Sequence, residues 1–295
     1  MRTVTLDVTC APLAAAPPSA HPLAATRRHY LMCPPTHFEV SYAINPWMHP
    51  ELPVDRALAM RQWTAIRQAY EGLGHVVELL EPLAGQPDMV FAANGMAMVD
   101  GRALVSCFRY PQRAGEQFAF EAWLAARGIA MRRSTRVLEG EGDIAVTSRA
   151  ILMGYGFRTK LAAAQEVSSY LAAPTGRTLV PLELINPAHY HLDTCLGVLN
   201  DRSAVYLPAA FSEVCRGRLA EVFEELIEAT PRDAAAFGVN VVSDGCHVLL
   251  DAAARDLASE LHRRGFIPIG LDTSELRAAG GSIKCCTQEL RGLLA

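Results

Sequence analysis

Gly280-Gly281-Ser282-Ile283-Lys284-Cys285-Cys286-Thr287 lies near the C-terminus of a 295-residue chain, and Cys285 closes a series of polar residues in apolar settings. The series runs Asn45, Asn94, Glu139, His191, Asn240 and Cys285, at intervals of 49, 45, 52, 49 and 45 residues. Identity between the intervening segments is low, so what recurs is the order of local patterns. Its physical meaning is a ring of similar units, each delivering one polar residue to a shared centre. The glycine pair lets the backbone turn tightly and approach a ligand. Lys284 is expected to favour the Cys285 thiolate, the form that attacks carbon. Most cysteines in such a chain are small buried hydrophobes, so the octapeptide alone does not make a nucleophile. The rest of the series gives it that reading.

Between these positions the pattern is two strands followed by a helix. Ala59, Trp63, Ile66 and Tyr70, spaced four, three and four apart, predict an amphipathic helix over 54–73, closed by Gly74 and followed by a strand at 76–80. Strands at 89–91 and 103–108 precede a helix over 116–126, and strands at 144–146 and 150–153 precede one over 161–171. Strands at 195–199 and 204–207 lead to a helix over 218–229; those at 239–242 and 247–250 lead to one over 253–264, then a strand at 266–270. A single alternation of strands and helices around a parallel sheet is the competing reading, and two strands per helix tell against it.

With 51% hydrophobic and 20% charged residues the chain can bury a full core. A net charge of −4 gives no reason to expect nucleic acid or an anionic membrane as partner. Eight cysteines without paired spacing argue against a zinc ribbon or a secreted disulfide scaffold, and point to free thiols in a reducing, cytoplasmic setting. Residues 1–26, rich in Ala and Pro, read as a loose tail, leaving 27–295 as one catalytic domain. No apolar stretch approaches the roughly 20 residues a bilayer requires.

Glu139-Gly140-Glu141-Gly142-Asp143 places three carboxylates on flexible backbone before a strand; it reads as a solvated turn or as a charged site, and lacks the alternating oxygen ligands of a calcium loop. In Tyr190-His191-Leu192-Asp193-Thr194, a strand would put His191 and Asp193 on one face, a pair suited to acid/base work because imidazole titrates near neutrality. No second histidine stands at metal-binding spacing beyond His189. Asp88 and Asn94 bracket an apolar run. Read as structure, they are the polar ends of a strand; read as function, a carboxylate and an amide facing one pocket match the planar donors of a guanidinium.

Together these motifs, with Tyr30-Leu31-Met32-Cys33-Pro34-Pro35 and Ile44-Asn45-Pro46-Trp47-Met48, resemble the guanidine-modifying superfamily over about residues 28–291, nearest its dimethylarginine dimethylaminohydrolase-like and arginine dihydrolase branch. The resemblance implies a five-bladed α/β propeller, the pentein fold. It implies Cys285 as nucleophile, His191 as general acid/base and Glu139 as the carboxylate that orients it and holds the guanidinium. Asp88 matches a substrate-binding carboxylate; Arg113 and Arg158 match arginines that grip the substrate's α-carboxylate. Asn94, Asn45 and Asp193 join them as substrate-binding positions. Two departures stand out: Asn94 where deiminases and dimethylarginine hydrolases carry a second aspartate, and Cys286 where many members have methionine. The implied reaction is hydrolysis of arginine or a close derivative through a Cys285 thiouronium, without metal or organic cofactor. Arginine dihydrolase, giving ornithine, ammonia and carbon dioxide, ranks above a citrulline-forming dimethylarginine hydrolase or deiminase. Transfer of the amidino group to an amine, or a catalytically dead binding propeller, are the further alternatives, and a homodimer is compatible with all of them.

Overall fold

The computed structural model describes residues 23–293. Most of the expected tail, residues 1–22, lies outside the described residues. Five three-stranded sheets make up the rest, each with the same connectivity: an antiparallel pair, a crossover, and a third strand returning parallel to the second. They pair Met96–Val99 with Arg102–Val105 and Ala130–Arg133, and Ile144–Val146 with Ala150–Tyr155 and Thr178–Glu183. Leu196–Val198 pairs with Ser203–Tyr206 and Glu225–Glu228, and Val242–Ser243 with His247–Asp251 and Ile267–Leu271. The remaining sheet joins His29–Met32 to Val76–Leu79 and takes its antiparallel strand, Gln288–Glu289, from the other end of the chain. The two ends of the described chain are thereby stitched together.

The repeating unit thus has one strand more than the sequence pattern predicts. The strands overlooked are the outer parallel ones at Ala130–Arg133, Thr178–Glu183 and Glu225–Glu228; the first is exposed throughout, and the other two have polar ends and only one fully buried residue each. The Arg56–Gly72 helix follows its pattern: Asp55 caps it by accepting from the Leu58 amide, and Ala59, Trp63, Ile66 and Tyr70 are all buried. The helix expected over 218–229 lies earlier, at Glu213–Val222, capped by Ser212; Phe223 turns the chain into extended backbone, and the charges that follow belong to a strand. In place of the 161–171 helix stands a succession of short 3₁₀, α and π turns running to Thr175, in whose last turn Pro174 lacks the amide a regular helix needs.

The predicted strand at 89–91 is two 3₁₀ turns, Pro87–Val90 and Ala92–Gly95. The acidic loop is a buried single helical turn, Gly140–Asp143, and Leu192–Thr194 is likewise a 3₁₀ turn instead of strand. These short turns matter because they lead into the antiparallel strand of a sheet. Asn94, Glu139, His191, Asn240 and Cys285 all sit at such entries; Asn45 falls outside this register, in the loop after the first strand.

Replacing Ile66, fully buried beneath the Arg56–Gly72 helix, with alanine is expected to cost about 2–5 kcal/mol in urea unfolding, whereas Arg61→Ala on the exposed face stays within about 0.5 kcal/mol. Equal effects would contradict the assignment of the buried stripe.

Candidate active site

Cys285, His191, Asp88, Asn94, Asn45, Arg113 and Arg158 line one narrow cavity, with Phe91, Met48 and Tyr190 as its apolar and aromatic wall. Glu139 lies directly behind it. Its Oε2 accepts from His191 Nε2 at 2.8 Å and Arg158 Nη1 at 2.9 Å, and its Oε1 from the Arg109 amide at 3.0 Å. Burial alone would favour the neutral acid, but Arg158, His191 and Arg113 outweigh it and hold the Glu139 carboxyl well below the usual carboxylate range.

Asp143 fastens this turn to its neighbours. Its Oδ1 accepts from the Leu192 amide at 3.1 Å and its Oδ2 from the Thr159 amide at 3.3 Å, so the segments bearing Glu139, Arg158 and His191 meet at one carboxylate. Burial pushes its pKa up to about 6.

Around Cys285 the contacts are of another kind. Asn240 clamps the residue twice: Oδ1 accepts from the Cys285 amide at 3.1 Å, and Nδ2 lies 3.2 Å from Sγ while donating to the Asp193 carbonyl at 2.9 Å. The thiol donates to Asp193 Oδ2 at 3.1 Å. Burial, then the negative charge of Asp193, raises the Cys285 pKa well above that of a free thiol, and burial raises Asp193 to about 6. The expected help from Lys284 is therefore absent: its ammonium donates to Glu141 Oε2 and to the Thr287 carbonyl, both at 2.8 Å. Cys286 is buried in the surrounding apolar cluster and does not line the cavity.

His191 and Asp193 share no strand face. The 3₁₀ turn sends the imidazole to Glu139 and the carboxylate to Cys285. The two arginines are also committed to protein acceptors: Arg158 to Glu139 and the Ile44 carbonyl, between the rings of Tyr110 and Tyr190, and Arg113 to Glu116, Asn94 and the Asp88 carbonyl. Asn45 closes the loop over the cavity by donating to the Ala279 carbonyl at 3.1 Å. The neighbouring Gly280 needs its glycine: φ is +82°, and a Cβ there would fall 2.7 Å from the Tyr190 hydroxyl.

Among the site residues named above, three buried polar atoms have no partner: Asp88 Oδ1, Asn94 Nδ2 and Asp193 Oδ1. Two of them, an acceptor and a donor, belong to residues of the cavity wall. Asn240 belonged to the spacing series without a role, and Tyr42, which donates to Asp88 Oδ2 at 3.0 Å, and Glu116 carried no signal beyond lying near the motifs.

The family profile described as "N,N dimethylarginine dimethylhydrolase, eukaryotic" matches residues 47–292. The chain belongs to this dimethylarginine hydrolase family. Within it, the chain is 45% identical over 263 residues to the N(G),N(G)-dimethylarginine dimethylaminohydrolase of Mycobacterium tuberculosis, covering 89% of this chain and 86% of that protein. It is 33% identical to the bifunctional arginine dihydrolase/ornithine cyclodeaminase ArgZ of Synechocystis, covering 87% of this chain but only 37% of ArgZ. The N-terminal domain of ArgZ, solved with substrate bound, superposes with a TM-score of 0.84 at 30% identity, over 90% of this chain and 98% of that domain; an asparagine-to-serine form of the domain is covalently bound to a reaction intermediate. The pentein membership implied by the motifs therefore holds, with an α/β fold of small sheets, and the protein is a dimethylarginine hydrolase-family enzyme acting on C–N bonds of guanidino groups.

Because burial and the charge of Asp193 hold the thiol neutral, iodoacetamide labelling of Cys285 in the free enzyme is expected to be slow at pH 7 and to accelerate as pH rises. Asp193→Asn removes the opposing charge and so shifts the profile to lower pH. Peptide mass spectrometry across pH checks this; an unshifted profile in the variant would contradict it.

Proposed function

We propose that the protein hydrolyses the guanidinium of L-arginine or a close derivative through a thiouronium on Cys285, and that its favoured reaction is that of an arginine dihydrolase. The observation that carries this reading is the pair of unpartnered groups in the cavity wall, the Asp88 carboxylate oxygen and the Asn94 amide nitrogen. A guanidinium offers only N–H donors and satisfies Asp88. A ureido group offers donors and one carbonyl oxygen, and so satisfies Asp88 and Asn94 together.

In the first cycle the cation lies among buried carboxylates, and its charge beside Cys285 favours the thiolate. The thiol proton passes to Asp193, its existing acceptor, as sulfur attacks the guanidinium carbon. His191, held by Glu139, protonates the departing amine and then takes a proton from the attacking water; the C–S bond breaks to release the ureido product, and Asp193 returns its proton to the sulfur. The second cycle repeats these steps on the ureido carbon, with Asn94 donating to its oxygen: ammonia leaves, water releases the N-carboxy (carbamate) form of ornithine from Cys285, and its C–N bond breaks to give ornithine and carbon dioxide. No metal or organic cofactor enters this scheme. The five sheets are read as the blades of one propeller, with residues 27–295 as a single catalytic unit and the polar strand entries at its centre. Among the described residues no helix is long and apolar enough to cross a membrane.

Hydrolysis of dimethylarginine to citrulline is the second reading, favoured by the 45% identity to the mycobacterial dimethylarginine enzyme.

Arginine, citrulline and N,N-dimethylarginine are supplied separately and the products separated by chromatography. Ornithine is expected from arginine and from citrulline. Citrulline accumulating without ornithine, or turnover of dimethylarginine alone, would remove the dihydrolase reading. Cys285→Ser is expected to abolish turnover, Cys286→Ser to keep it, and Glu139→Gln to lower kcat by about 10²–10⁴-fold, the range for losing a positioned acid/base system.

A further inference from the structure

An asparagine side chain presents an acceptor at one end and a donor at the other, and which end faces a ligand is decided by its protein neighbours. At Asn94 the neighbour is Arg113, whose Nη1 donates to Oδ1 at 2.8 Å. A guanidinium has no acceptor, so the Asn94 carbonyl must face it and the amide nitrogen must turn the other way. That nitrogen packs against Gly142, where a Cβ would fall 2.1 Å from it, and the same Cβ would lie 3.4 Å from the His191 ring. The Asn94 donor is therefore held beside the imidazole, buried and unpartnered.

Arg113 is itself immobilised. Glu116 grips it through two parallel bonds, Nε to Oε1 at 2.6 Å and Nη2 to Oε2 at 2.8 Å, and Nη2 also donates to the Asp88 carbonyl at 3.2 Å. Of the five N–H donors of this guanidinium, four are engaged by Glu116, Asp88 and Asn94, which leaves one. A two-pronged grip on a substrate carboxylate would require breaking the Glu116 pair, and both residues of that pair are buried, Arg113 3% and Glu116 1% exposed. Glu116 also opens the Glu116–Ala125 helix, whose first turn favours a negative charge.

We infer that Glu116 and Arg113 are a positioning pair: Glu116 fixes the Arg113 fork, and Arg113 fixes the Asn94 amide with its donor toward the reacting centre, so that the enzyme accepts a neutral ureido substrate as well as a cationic guanidino one. This rests on the two-cycle reading of the site and names the residues that make the second cycle possible. Neither Glu116 nor Arg113 needs to touch the reacting atoms to have this effect.

The experiment measures initial rates of citrulline formation from arginine and of ornithine formation from citrulline, in the wild-type enzyme, Glu116→Gln and Asn94→Asp. Glu116→Gln puts an amide where Arg113 requires two acceptors, so the fork and Asn94 lose their fixed orientation. The ratio of the second rate to the first is expected to fall about tenfold or more, as when one buried hydrogen bond goes unmade. Asn94→Asp, which has no donor, is expected to lose ornithine formation while still producing citrulline. A residue that served only stability, or an Arg113 that gripped the α-carboxylate in both steps, would lower both rates together and leave the ratio unchanged. If Glu116→Gln does not fold, as judged by thermal unfolding, Arg113→Lys replaces it, because one ammonium cannot hold Glu116 and Asn94 in the same geometry. A wild-type enzyme that makes no ornithine from citrulline overturns the two-cycle reading and the inference together. A wild-type enzyme that does, alongside folded variants with an unchanged ratio, overturns the inference alone.

Discussion

Keeping Glu139 ionised in the interior is the constraint on which the site depends. A buried carboxylate is costly unless charges and donors compensate it, and here a guanidinium, an imidazole and a backbone amide converge on its two oxygens from three different segments. Those segments lie up to 52 residues from Glu139 along the chain, so the compensation exists only in the folded chain. The wider balance remains acidic. Asp88, Glu116, Glu139, Asp143 and Asp193 are all buried, and burial raises Asp143 and Asp193 toward about 6. A cavity with surplus buried carboxylate favours a cation, and the planar, donor-only guanidinium is the form of cation its open acceptor best receives.

The architecture explains how so many polar groups reach one place. Each antiparallel strand is buried in a sheet, and just before it the chain makes a turn of three or four residues whose side chains project from the strand end. Short helices, turns and bends leave backbone amides unpaired, and the site uses them: Asp143 takes the Leu192 amide, Glu139 the Arg109 amide, Asn240 the Cys285 amide. The apolar sheets supply rigidity, and the strand entries supply chemistry.

Much of this was legible in the sequence. The spacing of Asn94, Glu139, His191, Asn240 and Cys285 reported one residue per sheet entry, because the units are of similar length and each has the same place for its polar residue. The Ala59–Trp63–Ile66–Tyr70 stripe reported its helix for the usual reason, one face against the core. What was not legible is of two kinds. Outer strands such as Ala130–Arg133 carry no apolar alternation, since both faces meet solvent, and the 3₁₀ turns at Pro87–Val90 and Leu192–Thr194 are too short to show a period. The partners of charged side chains were also hidden. Lys284 adjoins Cys285 in sequence but reaches Glu141, and Asp193, two residues from His191, serves the thiol instead. Adjacency along a chain does not fix where a long or turned side chain points.

Covalent attachment at a single sulfur is the claim that the carboxylate cradle, the Asn240 clamp and the placement of His191 all lead to. The most direct measurement is mass spectrometry of enzyme quenched during steady turnover, followed by peptide mapping. An adduct of the substrate's amidino carbon on Cys285 is the expected result. No adduct under conditions of active turnover, or one carried by Cys286, would contradict it.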